Sequence, residues 1–377
     1  MTTKRPELLA LAAKNPTQRE RVFRLSNKQS KLLEKRSTVY GRDLNTSDLL
    51  LLVTNQSLRE IIKNEYGLGT ELSWEYPTAI STTSKKVILY DGKQQYFVKV
   101  KPKYCCNPYN LALSAQFQEF LALKTNFVPP IVRTKSDDPY LRVGETILFA
   151  TEYRKGRLFN SSFKDNEYAG LVLGEIHRLS EEFHIPHPRN LTAWVDTLQF
   201  VNLANQLKGA ENAPGRTKVI SFFRQAINKY RAQLSQDPKY VANHGDYAPF
   251  NLVYDLKGNI IAVNDFDNVN FRPRIRDLAG AIISFCDGLC YAGATSSLRK
   301  PIASSLNLDK VSVFIKGYKV TALPLAEREK VDLIAEACIR WIKIMALGIV
   351  RGDFNYEDVL QAHTFTEFIE KHLPALI

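Results

Sequence analysis

The feature that most restricts this chain is a polar hairpin: short strands in NLVYD and IIAVNDF separated by LKGN, with HGDYAPF leading in and DFDN closing the second strand. It gathers His244, Asp246, Asn251, Asp265 and Asp267 into one loop system. From Lys155 onward it is the only convincing strand pair, because the rest of that half reads as helix: LVLGEIHRLSEEF, Lys218 to Leu234, Asp277 to Leu289, Val331–Ile349 and Tyr356–His372. The hairpin must therefore sit in a helical body. Its residue types suit phosphoryl transfer, which needs a carboxylate to take or orient the attacking hydroxyl's proton and oxygen ligands for the magnesium that bridges phosphates.

The chain upstream has a different texture. VILYDGKQQYFVKVK carries two β-rich runs around Asp91-Gly92, the strongest short hairpin signal present. A helical pattern, NLALSAQFQEFLALKTNF, and the apolar run TILFATEY follow, which together make a small α+β lobe. Before it, a helix is expected from Ser47 to about Tyr66. An amphipathic helix is expected over Arg19–Lys35, with Val22, Phe23, Leu25, Leu32 and Leu33 on one side.

Of the formal charge of +12, most lies early, with eleven basic residues against three acidic through Arg42. That excess is read either as a helical extension packed on the small lobe or as a docking surface for an acidic partner. An apolar content of 45% excludes a disordered chain. The longest apolar runs, such as Leu49 to Val53, fall far short of the roughly 20 residues that cross a bilayer. The five cysteines lack zinc-site spacing and are read as reduced thiols, and the N-terminus has no secretory pattern, so a cytoplasmic protein is expected.

On HGDYAPFN and NDFDNVNFRPRIRDLA the sequence resembles the aminoglycoside phosphotransferase and choline kinase-like family, whose corresponding motifs are HGDxxxxN and IDFDxxxxGPxxxDLA. The resemblance implies Asp246 as catalytic base, Asn251 and Asp265 as magnesium ligands, and Asp267 as a further acidic residue near the metals. It implies structural roles for His244 and for Asp277, the latter through backbone contacts of the catalytic loop. YFVKV is similar to the family's strand with the phosphate-binding lysine and FQEFLALKTNFVPPIV to its paired-glutamate helix, which implies a Lys99–Glu119 pair; Lys101 points to the same strand face as Lys99 and is the alternative. FATEYRKG resembles the hinge, so backbone near Glu152 and Tyr153 would meet adenine. His177, in LGEIHRLS, is expected to be a packed core residue. In WEYPTAISTTSKK this chain departs from the family, lacking the glycines that fold a loop over phosphates; amides and hydroxyls of Ser81, Thr82, Thr83 and Ser84 would have to substitute.

The expected fold class is α+β. It is a bilobal protein-kinase-like fold with a basic helical extension at 1–68, an antiparallel-sheet nucleotide lobe at 69–154 and a mostly helical catalytic lobe at 155–377. The expected activity is ATP- and Mg2+-dependent transfer of the γ-phosphate to a small-molecule hydroxyl. The alternatives are a kinase of Ser or Thr in an acidic peptide and a nucleotide-binding scaffold. Nucleic acid is not expected as a partner, and a polycationic acceptor is disfavoured by the basic balance. Arg340, Trp341, Tyr318 and Asp353 are named as pocket-liners by position alone.

Overall fold

The computed structural model describes residues 56–68, 73–75, 85–102, 108–143, 146–184, 197–207, 212–286 and 305–377. The Arg19–Lys35 stripe and the loop Ser81–Ser84 lie outside them. The chain divides into two compact units, one of Met1–Leu123 with Pro129–Arg154 and one of Lys124–Val128 with Lys155–Ile377.

The first unit is built on an antiparallel sheet of β1 (Ser73–Glu75), β2 (Lys85–Tyr90), β3 (Gln95–Pro102), β4 (Leu141–Val143) and β5 (Thr146–Glu152), in the order β1-β2-β3-β5-β4. The β2–β3 hairpin turns as Asp91-Gly92 suggested: Gly92 takes φ +87°, and Asp91 Oδ1 accepts the N–H groups of Lys93 and Gln94 at 3.0 and 2.9 Å. Alternation along β3 sends Tyr96, Val98 and Val100 into a core with Ile61, Ile62 and Tyr66 of helix α1 (Gln56–Tyr66) and Leu68 just after it. Burying a side chain such as Ile62, which is fully enclosed, contributes about 1.5–3 kcal/mol. Residues 56–68, assigned from sequence to the extension, are thus part of the core of this unit. On the opposite sheet face Ile147 and Phe149 pack on Leu111 of α2 (Pro108–Lys124).

The second unit holds α3 (Phe163–Ser180), α4 (Thr197–Asn205), α5 (Arg216–Gln233), β6 (Val241–Asn243), β7 (Leu252–Tyr254), β8 (Ile260–Val263), β9 (Asn270–Arg272), α6 (Ile275–Phe285), α7 (Leu308–Thr321), α8 (Glu327–Arg351), α9 (Tyr356–Gln361) and α10 (Phe365–His372). β7 and β8 form the expected hairpin. A second antiparallel ladder, β6–β9, pairs Val241 with Arg272 and Asn243 with Asn270, and sequence reading had no strand pair there. Three-residue strands so far apart in the chain show no usable alternation. The pattern from Tyr356 to His372 is broken into α9 and α10. α3 and α7 meet at backbone contact, for a Cβ on Gly170 would stand 2.0 Å from Phe314 O and one on Gly317 2.0 Å from Glu167 O. α8 is the central helix, packing on α4, α5, α6 and α10, with Trp341 fully buried and stacked on Phe365 at 5.2 Å. Arg274, just before α6, gives Glu329 two hydrogen bonds of 2.8 and 2.7 Å and caps the carbonyls of Leu323 and Pro324, which anchors α6 against α8. Among the described residues, no helix is long and apolar enough to cross a membrane.

Candidate active site

β6 delivers the chain to His244, and the polar loop is then held from three sides. Gly245 takes φ +80°, and its N–H is held by both oxygens of Asp277, at 2.9 and 3.2 Å. A Cβ there would fall 2.0 Å from Asn268 O, so the position demands glycine for both conformation and space. His244 is fully buried. Its Nδ1 accepts the N–H of Asp246 at 3.2 Å, and its Nε2 faces Asn264 O at 3.0 Å, which assigns a proton to Nε2. One imidazole thus ties the residue before Asp265 to Asp246, the structural role that the resemblance implied.

Asn251 ends a 3-10 turn over Pro249–Asn251, where its N–H bonds Ala248 O at 2.9 Å. Its side-chain Nδ2 donates to Asp246 O at 2.8 Å, and its own carbonyl accepts the N–H of Asn264 at 2.8 Å. With the amide nitrogen used internally, Oδ1 remains as the end that suits a cation. Asp265 follows in the left-handed region at φ +69° and ψ +54°, a conformation that costs a non-glycine residue about 1–2 kcal/mol. Asp267 lies in the next 3-10 turn, Phe266–Asn268. The loop system therefore joins Asn251 to Asp246 and sets Asp265 within electrostatic reach of Asp246, with Asp267 two residues on.

Electrostatics differ sharply between the aspartates. Burial pushes the Asp246 carboxyl up, Arg340 Nη2, 4.0 Å from Oδ1, pulls it down, and Asp265 pushes it up again; the net shift is upward. Burial also acts to raise Asp277, but the neighbouring His177 and His244 rings and the Gly245 N–H outweigh it, and the net shift is downward. His177 is packed as expected. Its Nδ1 meets Tyr318 OH at 2.9 Å, its Nε2 stands 3.8 Å from Asp277, beyond hydrogen-bond distance, and burial holds its pKa below the usual imidazole value.

Among the described residues, no group of three or more His, Cys, Asp or Glu side chains is placed to hold a metal unaided. An all-oxygen set of Asn251, Asp265 and Asp267 nevertheless fits magnesium, which keeps several waters and completes its shell with phosphate oxygens rather than a protein cage.

In the first unit Lys99 and Lys101 are both buried on β3, paired across the sheet with Phe149 and Ile147 respectively. Glu119 is engaged differently from the expected lysine pair, since both its oxygens go to Arg133 at 2.7 Å. A guanidinium fork matches a carboxylate in two bonds where an ammonium makes a point contact. The N–H groups of Glu152 and Tyr153 donate to Pro130 O and Gln95 O at 3.1 and 3.0 Å. A purine meeting those two residues would use their carbonyls instead.

A cavity of about 570 Å³, open mouth included, lies beside the loop in the second unit, walled in part by Gly245, Tyr247, Arg276, Arg340 and Lys343. Of the four residues named from position, Arg340 lines it, Trp341 and Tyr318 are core, and Asp353 is exposed. Arg276 and Lys343 were missed. A signal existed: Glu336, Ile339, Arg340 and Lys343 recur at one-face helical spacing within the otherwise apolar α8.

Among solved structures, an amicoumacin kinase in complex with AMP-PNP and Ca2+ superposes with a TM-score of 0.63 at 14% identity, over 86% of this chain and 96% of that one. A microcompartment-associated aminopropanol kinase gives 0.61 at 15% identity, over 85% and 99%. A spectinomycin phosphotransferase bound to ADP and spectinomycin gives 0.54 at 16%, over 83% and 93%. These likenesses show the fold. No curated protein matches in sequence. The phosphotransferase enzyme family (APH) matches residues 80–294, more than half of the 377-residue chain, and the chain belongs to that family.

Proposed function

We infer that the chain is an ATP- and magnesium-dependent kinase that transfers the γ-phosphoryl group to a hydroxyl of a small molecule. The observation that carries this reading is the bond from Asn251 Nδ2 to Asp246 O, which locks the candidate base to a candidate metal ligand inside one loop. Asp246 would accept the acceptor hydroxyl's proton, while Asn251, Asp265 and Asp267 would hold magnesium. Magnesium held there would supply neutralisation of the phosphate charge. Lys99 would contact the phosphates, and backbone carbonyls at Glu152 and Tyr153 the adenine. Nucleotide-complexed relatives such as the amicoumacin kinase and the spectinomycin phosphotransferase support ATP as donor, and their named substrates support a small-molecule acceptor.

A cytoplasmic location belongs to the same reading, in keeping with Cys286 and Cys338 as free, buried thiols. An acidic partner for residues 1–42 is a separate proposal.

The test is to incubate the protein with ATP labelled in its γ-phosphate oxygens, magnesium and a metabolite extract, and to search by mass spectrometry for labelled phosphate esters. Labelled products that vanish in Asp246→Ala are expected. Their absence, alongside ATP–Mg binding that survives Asp265→Ala, would favour a scaffold without turnover.

A further inference from the structure

The cavity beside the catalytic loop has an unusual wall. Arg272 at the end of β9, Arg276 on α6 and Arg340 on α8 set three guanidinium groups around it, with the Lys343 amine of α8 among them, against the carboxylates of Asp277 and Glu336. Asp277 is committed to the Gly245 N–H, and Glu336 stands 3.4 Å from Arg276. Lys343 is only 6% exposed, its Nζ 5.4 Å from the Phe200 ring. Gathering like charges in a partly enclosed space raises their energy, and an anion in that space lowers it. The cavity's position suits an acceptor, since Gly245 and Tyr247 flank Asp246 and Arg340 reaches to 4.0 Å from the Asp246 carboxylate.

We propose that this cavity binds the phosphate acceptor, and that the acceptor is an acidic alcohol whose carboxylate or phosphate group is held by Arg276, Arg340 and Lys343. The proposal rests on the kinase reading above. In the reaction, the acceptor oxygen bonds to the γ-phosphorus as the bond from that phosphorus to the β–γ bridging oxygen breaks. The hydroxyl proton passes to Asp246, and ADP carries away the bonding pair. Burial, together with the charges of Arg340 and Arg276, holds Lys343 down to about 6 despite Asp246 and Glu336, so that its amine gains its proton when an anion enters the cavity. Amino alcohols, whose ammonium would be repelled, are excluded as preferred acceptors.

The experiment titrates inorganic phosphate, malonate and ethanolamine separately into the full chain, alone and after saturation with AMP-PNP and magnesium, following thermal stability and heat of binding. Phosphate or malonate should bind saturably in both states, whichever is tighter identifying the acidic group, and ethanolamine should not. Lys343→Met and Arg276→Gln should each weaken that binding about tenfold while the shift produced by AMP-PNP and magnesium persists; if Lys343→Met fails to fold, Arg276→Gln decides alone. Ethanolamine binding in preference to both anions would overturn the proposal. So would anion effects identical in wild type and variants, or variants that lose the nucleotide shift instead, since the cations would then serve ATP. Anion binding without any nucleotide shift would keep the anion site and defeat the kinase reading.

Discussion

Arg133 closes a two-pronged ion pair on Glu119, Nε to Oε1 and Nη2 to Oε2, each at 2.7 Å. The pair joins α2 to the segment that follows it, within the first unit. Being partly exposed, it contributes only about 0.5 kcal/mol. Arg133→Gln should therefore lower Tm by no more than a few degrees. Lys99→Met should weaken ATP–Mg binding more than tenfold, and Lys101→Met far less, as measured by calorimetry. The reverse order would move the phosphate contact to Lys101, two residues along the same strand face.

Asp246→Ala and Asp265→Ala should each abolish transfer with Tm within a few degrees of wild type. Asp265→Gly separates chemistry from strain: releasing the left-handed φ of +69° offsets the entropy that glycine costs, so stability should stay within about 1 kcal/mol while activity is lost. More than a tenth of wild-type turnover in any of the three would remove these aspartates from the mechanism.

Gly245→Ala should be more damaging than its size suggests. The added methyl would meet Asn268 O at 2.0 Å, and the residue would have to keep φ +80° for its N–H to stay on Asp277. We expect kcat to fall at least a hundredfold with a smaller change in KM, because the loop that aims Asp246 moves while the residues proposed for nucleotide in the first unit do not. Unchanged kcat would show that the loop tolerates displacement.

Asp165 gives an acid-stability prediction. Burial acts to raise its pKa, but the two bonds of 2.7 Å from Arg157 and the Asn160 N–H outweigh it, so the folded carboxyl sits below its ordinary value. Its stabilisation is therefore present above the unfolded pKa and is lost as pH falls through the folded one. Asp165→Asn should cost about 2 kcal/mol at pH 7 and flatten the loss of stability below about pH 4, checked by urea melts across pH. An equally steep acid limb in the variant would place the effect on other carboxylates.

Truncation separates the extension from the core. Removing residues 1–42 should leave a folded protein with basal ATP turnover, while removing 1–68 should unfold it, since Ile61, Ile62, Tyr66 and Leu68 would be stripped from the sheet's core. Tm and solubility of the two proteins decide. If the basic segment docks an acidic partner, activity toward that partner should fall with added salt in the full chain and be lost in the shorter truncation.

What could be read from sequence alone was local. The Asp91-Gly92 turn follows from the φ that glycine permits and the bonds that an aspartate makes to its own backbone. The loop from Asp246 to Asn251 was legible because both ends sit in one turn, joined by a side chain reaching five residues back. Tertiary structure decided what crosses long stretches of chain: α1 as part of the sheet's core, the β6–β9 ladder, the choice of Arg133 by Glu119, and the meeting of Arg272, Arg276, Arg340 and Lys343 around one cavity. Each depends on elements brought together only by burial of apolar faces. That force is proportional to area and indifferent to which polar side chains it carries along, so the charge pattern of the cavity appears only once α6, α8 and β9 are packed.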